Sequence, residues 1–378
     1  MEDLSPSMDP LPAGCDVAVV GAGAVGCAVA WRLAQGGLSV VLVERTRPGA
    51  EASSAAAGLL ASQHEGSEDG PFFRLLRRSE RMWGEFAREL AEAGAPDMGY
   101  RASGAVDVAF DEGEAAVLAG RLSWQRQAGL AVELLEAPDV RARFPALAPR
   151  IQQALWYPEA AQVDAQRLCA SLWAAARSAG VRWLAGEARS LLLRGGRLAG
   201  LTVDGRPLEA EAVIVAAGAF GALIEGVGLA PAALRPIRGQ LVCFELEPPF
   251  EAAVFGAGGY LAPKPDGRVL AGSTMEDVGF DKRVTAAGVQ SILERAARLC
   301  PRLAKAPVGA LWAGLRPATP DGLPALGPVP SIPGLHLAAG HLRNGILLTP
   351  VTAELLAASV RGQPLDLPRE LQAARLFA

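Results

Sequence analysis

The feature that most constrains the fold of this chain is the segment CDVAVVGAGAVGCAVAWRLAQGGLSVVLVER, which begins at Cys15. A β-rich run from Asp16 to Val20 leads into a G-x-G-x-x-G pattern and then into a helical stretch that ends near Gly36. A second β-rich run extends from Ser39 to Val43. This order of strand, glycine-rich turn, helix and strand is typical of the first unit of a dinucleotide-binding domain.

Each glycine of the pattern has a mechanical task. Gly21 permits the tight turn, Gly23 lets the backbone approach a pyrophosphate, and Gly26 lets the helix pack closely against the strand. We expect Ala24 and Val25, which open the helix, to belong to the same phosphate site. A plain glycine turn is the alternative, because the chain contains 43 glycines.

The acid at the end of the second β-rich run limits the choice of nucleotide. Glu44 stands where a carboxylate would accept both ribose hydroxyls, which allows NAD or FAD. Arg45, the next residue, is a mild argument for a phosphorylated ribose instead. A second G-x-G-x-x-G does not follow any β-rich run of the sequence, so an architecture with two dinucleotide sites is not predicted.

Composition excludes several classes of partner. The 378 residues are 51% hydrophobic, which suffices for a large core, and the formal charge of -4 is not concentrated in runs. We therefore expect a small-molecule ligand, and neither nucleic acid nor an anionic membrane.

The five cysteines are widely separated and form no C-x-x-C, so no disulfide framework or metal site is predicted, and the expected compartment is a reducing cytoplasm.

Two segments could be mistaken for targeting or membrane elements. The tail of residues 1–14 is acidic and Pro-rich, without the features of a secretory signal, and we expect it to be disordered. Residues 213–234 are long and apolar, but Glu225, several glycines and Pro231 interrupt them. A buried strand followed by a turn is therefore favoured over a membrane-spanning helix.

Three further segments add to the nucleotide prediction. In ASSAAAGLLAS, residues 52–62, side chains are small enough for the backbone to lie against something flat and wide, although a flexible loop is an equal alternative. EAVIVAAGAF, residues 211–220, reads as a buried strand that ends in small residues. GLHLAAGHLRNGILLTP, residues 334–350, reads as a strand, a turn and a helix with Thr349 as N-cap and Pro350 at the first position.

Residues 71–95 show the spacing of apolar residues that is typical of a helix, and residues 235–275 show a pattern that is typical of strands joined by turns. Apolar residues at near-helical spacing predict a helix over 71–95, with Arg74, Arg77, Arg78 and Arg81 on a solvated face. Residues 235–275 alternate turn signals with β-rich runs, as in QLVCFELE and GRVLAGST, and predict an antiparallel sheet.

These motifs together resemble a known family. The fingerprint ending in Glu44, SSAAAGLL, VIVAAGAF, GLRPATPDGLPALG and GHLRNGILLTP occur in this order in the FAD-dependent D-amino-acid oxidase family, and most closely in the glycine oxidases of thiamine biosynthesis. The similarity extends from about residue 14 to about residue 362.

The resemblance implies an α/β (α+β) fold class in which a Rossmann-like FAD-binding domain is interleaved with a substrate domain built on a mixed or antiparallel sheet. The implied FAD-binding domain comprises residues 15–75, 147–221 and 312–364, and the substrate domain comprises 76–146 and 222–311. Residues 365–378 form a C-terminal tail.

The resemblance also implies roles for residues of the substrate site. Arg316 stands at the position of the arginine that holds the substrate carboxylate, Tyr260 at that of an active-site tyrosine, and Met275 at a pocket-lining position. An ion pair of Arg316 with Asp321, an ordinary sheet aromatic at Tyr260 and a core methionine at Met275 are the alternatives. Phe255 stands near a second tyrosine position, and it departs from the family pattern.

The implied contacts to FAD are spread over the chain. Arg343 would meet negative charge at the pyrimidine end of the flavin, or it would instead pair with a nearby carboxylate. His341, in the same turn, is also a candidate for FAD contact, and a buried turn residue is its favoured alternative. Some relatives attach the flavin through a cysteine at the position of Gly314, so the FAD here is expected to be non-covalent. The further FAD-binding candidates are Ser53, Ser54, Ala56, Ala57, Gly58, Ala188, Ala217, Gly218, Asn344, Gly345 and Ile346.

By resemblance, the activity is oxidative deamination of glycine or another small amino acid. Hydride would pass from the α-carbon to FAD, the imine would hydrolyse to a 2-oxo acid and ammonia, and dioxygen would yield hydrogen peroxide. The sequence identifies no general base, and a homo-oligomer is expected. Two alternatives stay open, a dehydrogenase of D-amino, N-methyl amino or 2-hydroxy acids that uses a quinone or electron-transfer protein, and a catalytically idle flavin-binding subunit.

Overall fold

The computed structural model describes residues 14–377. The disorder expected of residues 1–14 therefore falls outside the described residues except at Gly14, which begins the first strand. The strands are β1 Gly14–Val20, β2 Val40–Glu44, β3 Leu59–Leu60, β4 Ala105–Ala109, β5 Glu133–Glu136, β6 Gln153–Tyr157, β7 Ala161–Gln162, β8 Arg182–Ala185, β9 Ala188–Arg194, β10 Arg197–Val203, β11 Arg206–Val215, β12 Arg235–Glu245, β13 Ala253–Gly256, β14 Gly259–Lys264, β15 Arg268–Gly272, β16 Val308–Ala318, β17 Ala325–Pro328 and β18 Leu335–Ala339.

Helices cover the faces of the sheets that these strands form. The α-helices are α1 Ala24–Gln35, α2 Ser62–Glu65, α3 Pro71–Glu92, α4 Glu112–Gln127, α5 Ala137–Arg143, α6 Ala165–Ser178, α7 Ala286–Leu299 and α8 Thr349–Val360. Short 3-10 helices span Gly218–Leu223, Pro231–Ala233, Pro301–Lys305, Arg369–Leu371 and Ala373–Phe377. None of the helices within residues 14–377 combines the length and the apolar character that crossing a membrane requires.

The first sheet contains the predicted nucleotide-binding unit. Its strand order is β17-β18-β11-β1-β2-β8, and the β9–β10 hairpin extends from β11. The contacts of β1 with β11 and β2, of β2 with β8 and of β11 with β18 are parallel. Such strands are buried on both faces, which explains why β1, β2 and β11 contain continuous apolar runs.

The second sheet has the order β16-β12-β15-β14-β13-β4-β6-β5. Its pairs are antiparallel except for β13 with β4. The α7 helix places Ile292, Ala296 and Leu299 on this sheet, in one apolar cluster with Val242 and Phe244 of β12. A two-stranded ladder of β3 and β7 lies apart from both sheets.

The predicted fold class is confirmed, because a parallel-cored sheet and a mixed, largely antiparallel sheet are interleaved along the chain. The apolar segment 213–234 is the end of β11 followed by short 3-10 turns, as predicted. One helix boundary differs: Leu348 is the N-cap of α8 and Thr349 is its first residue. The Thr349 Oγ1 donates to the carbonyl of Gly345 at 2.8 Å and therefore does not cap the amides ahead of it.

The prediction that all four arginines of α3 are solvated was wrong for Arg77. This side chain is buried, and its guanidinium bonds Glu80 on the next turn of the helix and Glu159 after β6. The two carboxylates compensate the desolvation of the charge, so the residue can occupy the core side of the helix.

The proposed domain boundaries remain a proposal, and some elements cross them. β6 and the start of β16 join the second sheet, whereas the boundaries assign β6 to the FAD-binding domain and divide β16 at residue 312. Most of α3 packs into the apolar cluster of α1 and α8. Within the C-terminal segment, Leu371 and Ala373 are buried and Arg375 binds Asp321.

Candidate functional site

The two sheets meet around one large cavity of about 1020 Å³. One wall comes from the first sheet, with the β1–α1 turn, the end of β2 and the turn after β11. The opposite wall comes from β12, β13, β14 and β16 of the second sheet. Residues that the sequence placed in a cofactor site and in a substrate site thus face one space.

The glycine-rich turn has the geometry that its pattern predicts. Gly21 adopts φ +100°, and a Cβ there would lie 2.6 Å from the carbonyl oxygen of Ala216. A Cβ on Gly26 would overlap the backbone of Gly21, so the close packing of α1 on β1 excludes any side chain there. Ser53 Oγ accepts a hydrogen bond from the amide of Ala24 at 2.9 Å and brings the small-residue segment against the start of α1.

Glu44 lies at the cavity wall where β2 ends. Its two carboxylate oxygens accept hydrogen bonds from the amide of Ala22 at 3.0 Å and from the amide of Thr46 at 2.9 Å. The carboxylate therefore supports the glycine-rich turn, and its further lone pairs can serve a ribose. Arg45 faces the same cavity, stacks on Phe220 at 3.8 Å and binds Glu51 at 2.8 Å.

A buried lysine fixes the small-residue segment. Lys264, at the end of β14, is 1% exposed, and its Nζ donates to the carbonyls of Ala57 at 2.6 Å and Val163 at 2.7 Å. Burial lowers the pKa of Lys264 to about 7. On β16, at the edge of the same sheet, the indole of Trp312 donates to the carbonyl of Ala55 at 3.1 Å, so β14 and β16 both hold this segment at the cavity.

Arg316 is a cation without a carboxylate partner among residues 14–377. Its guanidinium lines the cavity and donates to the carbonyl of Thr274 at 3.0 Å and to Ser273 Oγ at 2.7 Å. The opposing strand carries Gly239, where any Cβ would overlap the guanidinium. Burial lowers the pKa of Arg316. The group is therefore desolvated, held by neutral acceptors and open to an anion.

The alternative of an ion pair between Arg316 and Asp321 was wrong. Asp321 binds Arg375 instead, with Nε and Oδ2 2.9 Å apart. Although burial raises the pKa of Asp321, the hydrogen bond from Arg375 and the amide of Leu323 lower it to about 2. The one acid close to Arg316 in sequence is thus engaged elsewhere.

Tyr260 and Met275 lie in the cavity wall beside Arg316. Burial raises the pKa of Tyr260, so its hydroxyl stays protonated at neutral pH. Met275 is 55% exposed, which rules out the core position, and its Sδ is 3.3 Å from the Arg316 guanidinium. Phe255 lines the same wall, next to Tyr260.

The turn between β18 and α8 contributes both Arg343 and His341 to the cavity. Arg343 binds Glu65, with Nε and Oε2 2.6 Å apart, as the alternative to a flavin contact predicted. His341 is buried, and its Nε2 lies 3.1 Å from Thr352 Oγ1. Desolvation lowers the pKa of His341 to about 4, so the ring is neutral at neutral pH.

Most of the candidates for FAD contact face the cavity, and three do not. Ala24 and Gly26 pack inside the β1–α1 unit, and Ser54 lies beside Cys169. The candidates that line the cavity are Gly21, Gly23, Val25, Glu44, Arg45, Ser53, Ala56, Ala57, Gly58, Ala188, Ala217, Gly218, His341, Arg343, Asn344, Gly345 and Ile346.

The sequence analysis did not identify a group of polar residues in the cavity wall. His64 Nδ1 lies 2.9 Å from Asp107 Oδ2, and Arg121 binds the same oxygen. The His64 ring also stacks on Phe255, with ring centroids 3.7 Å apart. These residues come from α2, β4, α4 and β13, and no local pattern connects them.

The cavity wall of the first sheet fits an FAD molecule. The glycine-rich turn and the start of α1 at Val25 can receive a pyrophosphate, and Glu44 can receive a ribose. The small-residue segment and Arg316 line the same cavity, and the short side chains of the segment would let a flat ring system lie against its backbone. Within residues 14–377, no group of three or more His, Cys, Asp or Glu side chains could hold a metal ion.

Comparison with known proteins agrees with this geometry. Residues 16–359 match the family described as DAO, FAD dependent oxidoreductase. The chain belongs to the DAO family of FAD-dependent oxidoreductases. It is accordingly an enzyme of the oxidoreductase class with FAD as cofactor.

Several relatives are similar over most of this chain. Glycine oxidase of Geobacillus kaustophilus is 38% identical over 90% of this chain and 92% of its own length. The crystal structure of glycine oxidase from the same organism superposes with a TM-score of 0.91, at 36% identity, over 96% of this chain and 99% of that one. The bifunctional protein ThiO/ThiG of a Nostoc species is 34% identical over 93% of this chain, which spans 53% of that longer protein.

Proposed function

We propose that this DAO-family enzyme oxidises glycine or another small amino acid to the 2-oxo acid, ammonia and hydrogen peroxide, and that it supplies thiamine thiazole biosynthesis. The observation that carries the proposal is the Arg316 guanidinium, a desolvated cation without a carboxylate partner in residues 14–377. It faces the same cavity as the wall that fits FAD. The similarity to glycine oxidases and to a ThiO/ThiG protein supports the choice of substrate and pathway.

Arg316 would hold the substrate carboxylate through two parallel hydrogen bonds. A planar guanidinium matches both oxygens of a carboxylate, and the pairing strengthens where water is excluded. Ser273 and the carbonyl of Thr274 keep the guanidinium in place before substrate arrives. The substrate is thereby fixed at one end, and its α-carbon can be placed against the cofactor wall.

Tyr260 and Met275 would complete the pocket around the carboxylate. The protonated phenol of Tyr260 can donate a hydrogen bond to the substrate. The Met275 thioether can shield the Arg316 guanidinium from solvent. When bound, FAD supplies the hydride acceptor of the reaction. The protein's own residues bind the amino acid, orient it and limit the access of water.

The experiment that tests the proposal is ammonia release from glycine with and without oxygen. The proposed oxidase releases ammonia over many turnovers in air, and at most one equivalent per bound FAD without oxygen. A quinone-dependent dehydrogenase would need an added acceptor for turnover in air. An idle flavin-binding subunit would release no ammonia under either condition, and this result would refute the proposal.

Other expectations accompany the proposal. The roles of the site residues, the domain boundaries, dioxygen as electron acceptor, the homo-oligomer and the cytoplasmic location remain predictions. They are drawn from the resemblance to glycine oxidases and from the sequence composition. Size measurement of the purified protein in solution tests the homo-oligomer directly.

A further inference from the structure

Two hydrogen-bond acceptors hold the Arg316 guanidinium, and both come from one short segment. Residues 273–276, the acceptor segment, follow β15 directly and contain the Ser273 hydroxyl and the Thr274 carbonyl that Arg316 binds. An arginine side chain has much rotamer freedom, and a bidentate pairing with a carboxylate needs the planar guanidinium in one orientation. The position of the acceptor segment therefore determines how well Arg316 can receive a substrate carboxylate.

Arg316 reaches the acceptor segment across β12. This strand lies between β16, which carries Arg316, and β15. The arginine side chain passes over Gly239 of β12, where any Cβ would overlap the guanidinium. The acceptor segment stays beside β12, because the amide of Arg238 donates to the carbonyl of Glu276 at 2.9 Å and the amide of Glu276 donates back at 3.0 Å. The guanidinium is thus held from the far side of β12.

The side chains of the acceptor segment alternate between two faces, as they do in a strand. Those of Ser273 and Met275 lie on the cavity face, where they contact the Arg316 guanidinium at 2.7 Å and 3.3 Å. Those of Thr274 and Glu276 lie on the reverse face and contact each other, with Thr274 Oγ1 and Glu276 Oε2 3.0 Å apart. The segment therefore separates the carboxylate site from a second polar group behind it.

An ion pair on the reverse face fastens the acceptor segment to β12. Arg238 Nε donates to Glu276 Oε2 at 2.7 Å, and Gln240 Nε2 donates to the same oxygen at 2.9 Å. The amide of Gln240 also donates to Thr274 Oγ1 at 3.0 Å. The hydrogen bond from Arg238 is the main cause that lowers the pKa of Glu276, so this carboxylate is charged at neutral pH.

Arg238 is itself fixed independently of the acceptor segment. The residue is 5% exposed, and a cation so desolvated requires partners. Its Nη1 donates to the carbonyl of Arg283 at 2.9 Å and lies 3.6 Å from Asp281 Oδ2. Neither Arg238 nor Glu276 lines the cavity. The pair can therefore stabilise the acceptor segment without contacting a ligand of Arg316.

We infer that Arg238 and Glu276 are positioning residues for the substrate carboxylate, an assignment that rests on the proposed function. Their ion pair holds the acceptor segment against β12, and the acceptor segment orients the Arg316 guanidinium through Ser273 and Thr274. When the pair is lost, the guanidinium loses the orientation that two parallel hydrogen bonds require.

The test uses the FAD-loaded enzyme with Glu276→Gln, which removes the charge and keeps the size of the side chain. Titration of the flavin absorbance with acetate, a carboxylate without an amine, measures its Kd, and steady-state assays measure kcat/KM for glycine and for propylamine. We expect the acetate Kd to rise and kcat/KM for glycine to fall by about 10-fold each, because a small misplacement of a binding group is costly. Propylamine has no carboxylate, so its kcat/KM should stay within about twofold of wild type.

Asp277→Asn is the matched control. Asp277 follows Glu276 directly, but it is exposed, pairs with Arg235 at 2.8 Å and does not line the cavity. This variant should match wild type in all three measurements. In an Arg316→Ala background, Glu276→Gln should cause no further loss of kcat/KM for glycine, because its effect passes through Arg316.

An unchanged acetate Kd in Glu276→Gln, or equal losses with glycine and propylamine, would overturn the inference, and so would a full further loss in the Arg316→Ala background. A wild-type enzyme that binds acetate without oxidising glycine would refute the proposed function, and the acetate Kd of the variant would still decide the role of the ion pair. A wild-type enzyme that binds no acetate would overturn the inference as well. If Glu276→Gln does not fold, Arg238→Lys, which lacks the Nε hydrogen bond, is judged by the same measurements.

Discussion

Among single residues, Glu44 both supports the backbone of the glycine-rich turn and is positioned to bind the ribose of FAD. Its carboxylate accepts the amides of Ala22 and Thr46, and it also lines the cavity. Glu44→Ala should weaken FAD binding by about 1.5–3 kcal/mol, because hydrogen bonds to a charged acceptor are lost. Titration of the apo-protein with FAD measures this change, and an affinity within error of wild type would contradict the ribose assignment.

The control for Glu44 is Glu209→Ala. Glu209 lies on β11, is exposed and binds Arg194 away from the cavity. We expect FAD affinity to be unchanged in this variant. The substrate preference of the Glu44→Ala fraction that still binds FAD should also be unchanged, because Glu44 lies on the cofactor wall.

The lowered pKa of the buried His341 should make the stability of the folded protein depend on pH in the acid range. Its pKa is lowered to about 4 by desolvation, so the unfolded chain binds a proton between pH 6.5 and 4 that the folded chain does not. Stability should therefore decrease as the pH falls through this range, by up to about 3 kcal/mol from this residue. Urea unfolding of wild type and His341→Gln at pH 7.5 and 4.5 measures it, and equal pH dependence in both proteins would contradict the assignment.

At the scale of elements, Lys264 connects β14 to the segment before β3 and to the start of α6. It is one of three lysines among 36 Lys and Arg residues, and its ammonium satisfies two buried carbonyls. Lys264→Met should leave both carbonyls without a partner, at a cost of about 1–3 kcal/mol each in stability. FAD affinity should fall as well, because Ala57 lines the cofactor wall.

Thermal and urea unfolding with and without FAD measure the effect of Lys264→Met. Lys305→Met is the matched control, because Lys305 is exposed and lies outside the cavity wall. The control should match wild type in both measurements. A Lys264→Met protein as stable as the control would show that the two hydrogen bonds contribute little.

Local patterns explain which elements could be predicted. The sequence predicts the start of β1 to within two residues and both ends of β2 to within one residue. This is possible because the glycine spacing and the alternation of strand and helix lie in one continuous stretch.

The pairing of Asp321 could not be predicted, since its partner Arg375 is 54 residues away. The group of His64, Asp107 and Arg121 was missed for the same reason. These three side chains come together only when three separate elements pack against one another, and neither residue spacing nor composition indicates that contact.

At the scale of the whole molecule, the cavity between the two sheets offers FAD no cysteine for covalent attachment among residues 14–377. Gly314, at the position where some relatives carry a cysteine, has no side chain, and a Cβ there would lie 2.7 Å from that of Ala55. Among residues 14–377 the cavity wall contains no cysteine. Acid denaturation of the yellow protein should therefore leave the colour in the supernatant after centrifugation, and colour in the pellet would contradict non-covalent binding.

The central claim is that this cavity joins an FAD wall to an arginine that holds a substrate carboxylate. The most direct measurement is the steady-state kinetics of Arg316→Ala with glycine and with propylamine, a small amine that lacks the carboxylate. We predict that kcat/KM for glycine falls by about 30-fold to several thousand-fold, as when one member of a desolvated charge pair is removed, while the weak turnover of propylamine stays nearly unchanged. Arg316→Lys should recover part of the loss, since an ammonium cannot form both parallel hydrogen bonds. Equal losses with both substrates, or an Arg316→Ala protein that does not fold, would contradict the claim and make Arg316 a structural residue.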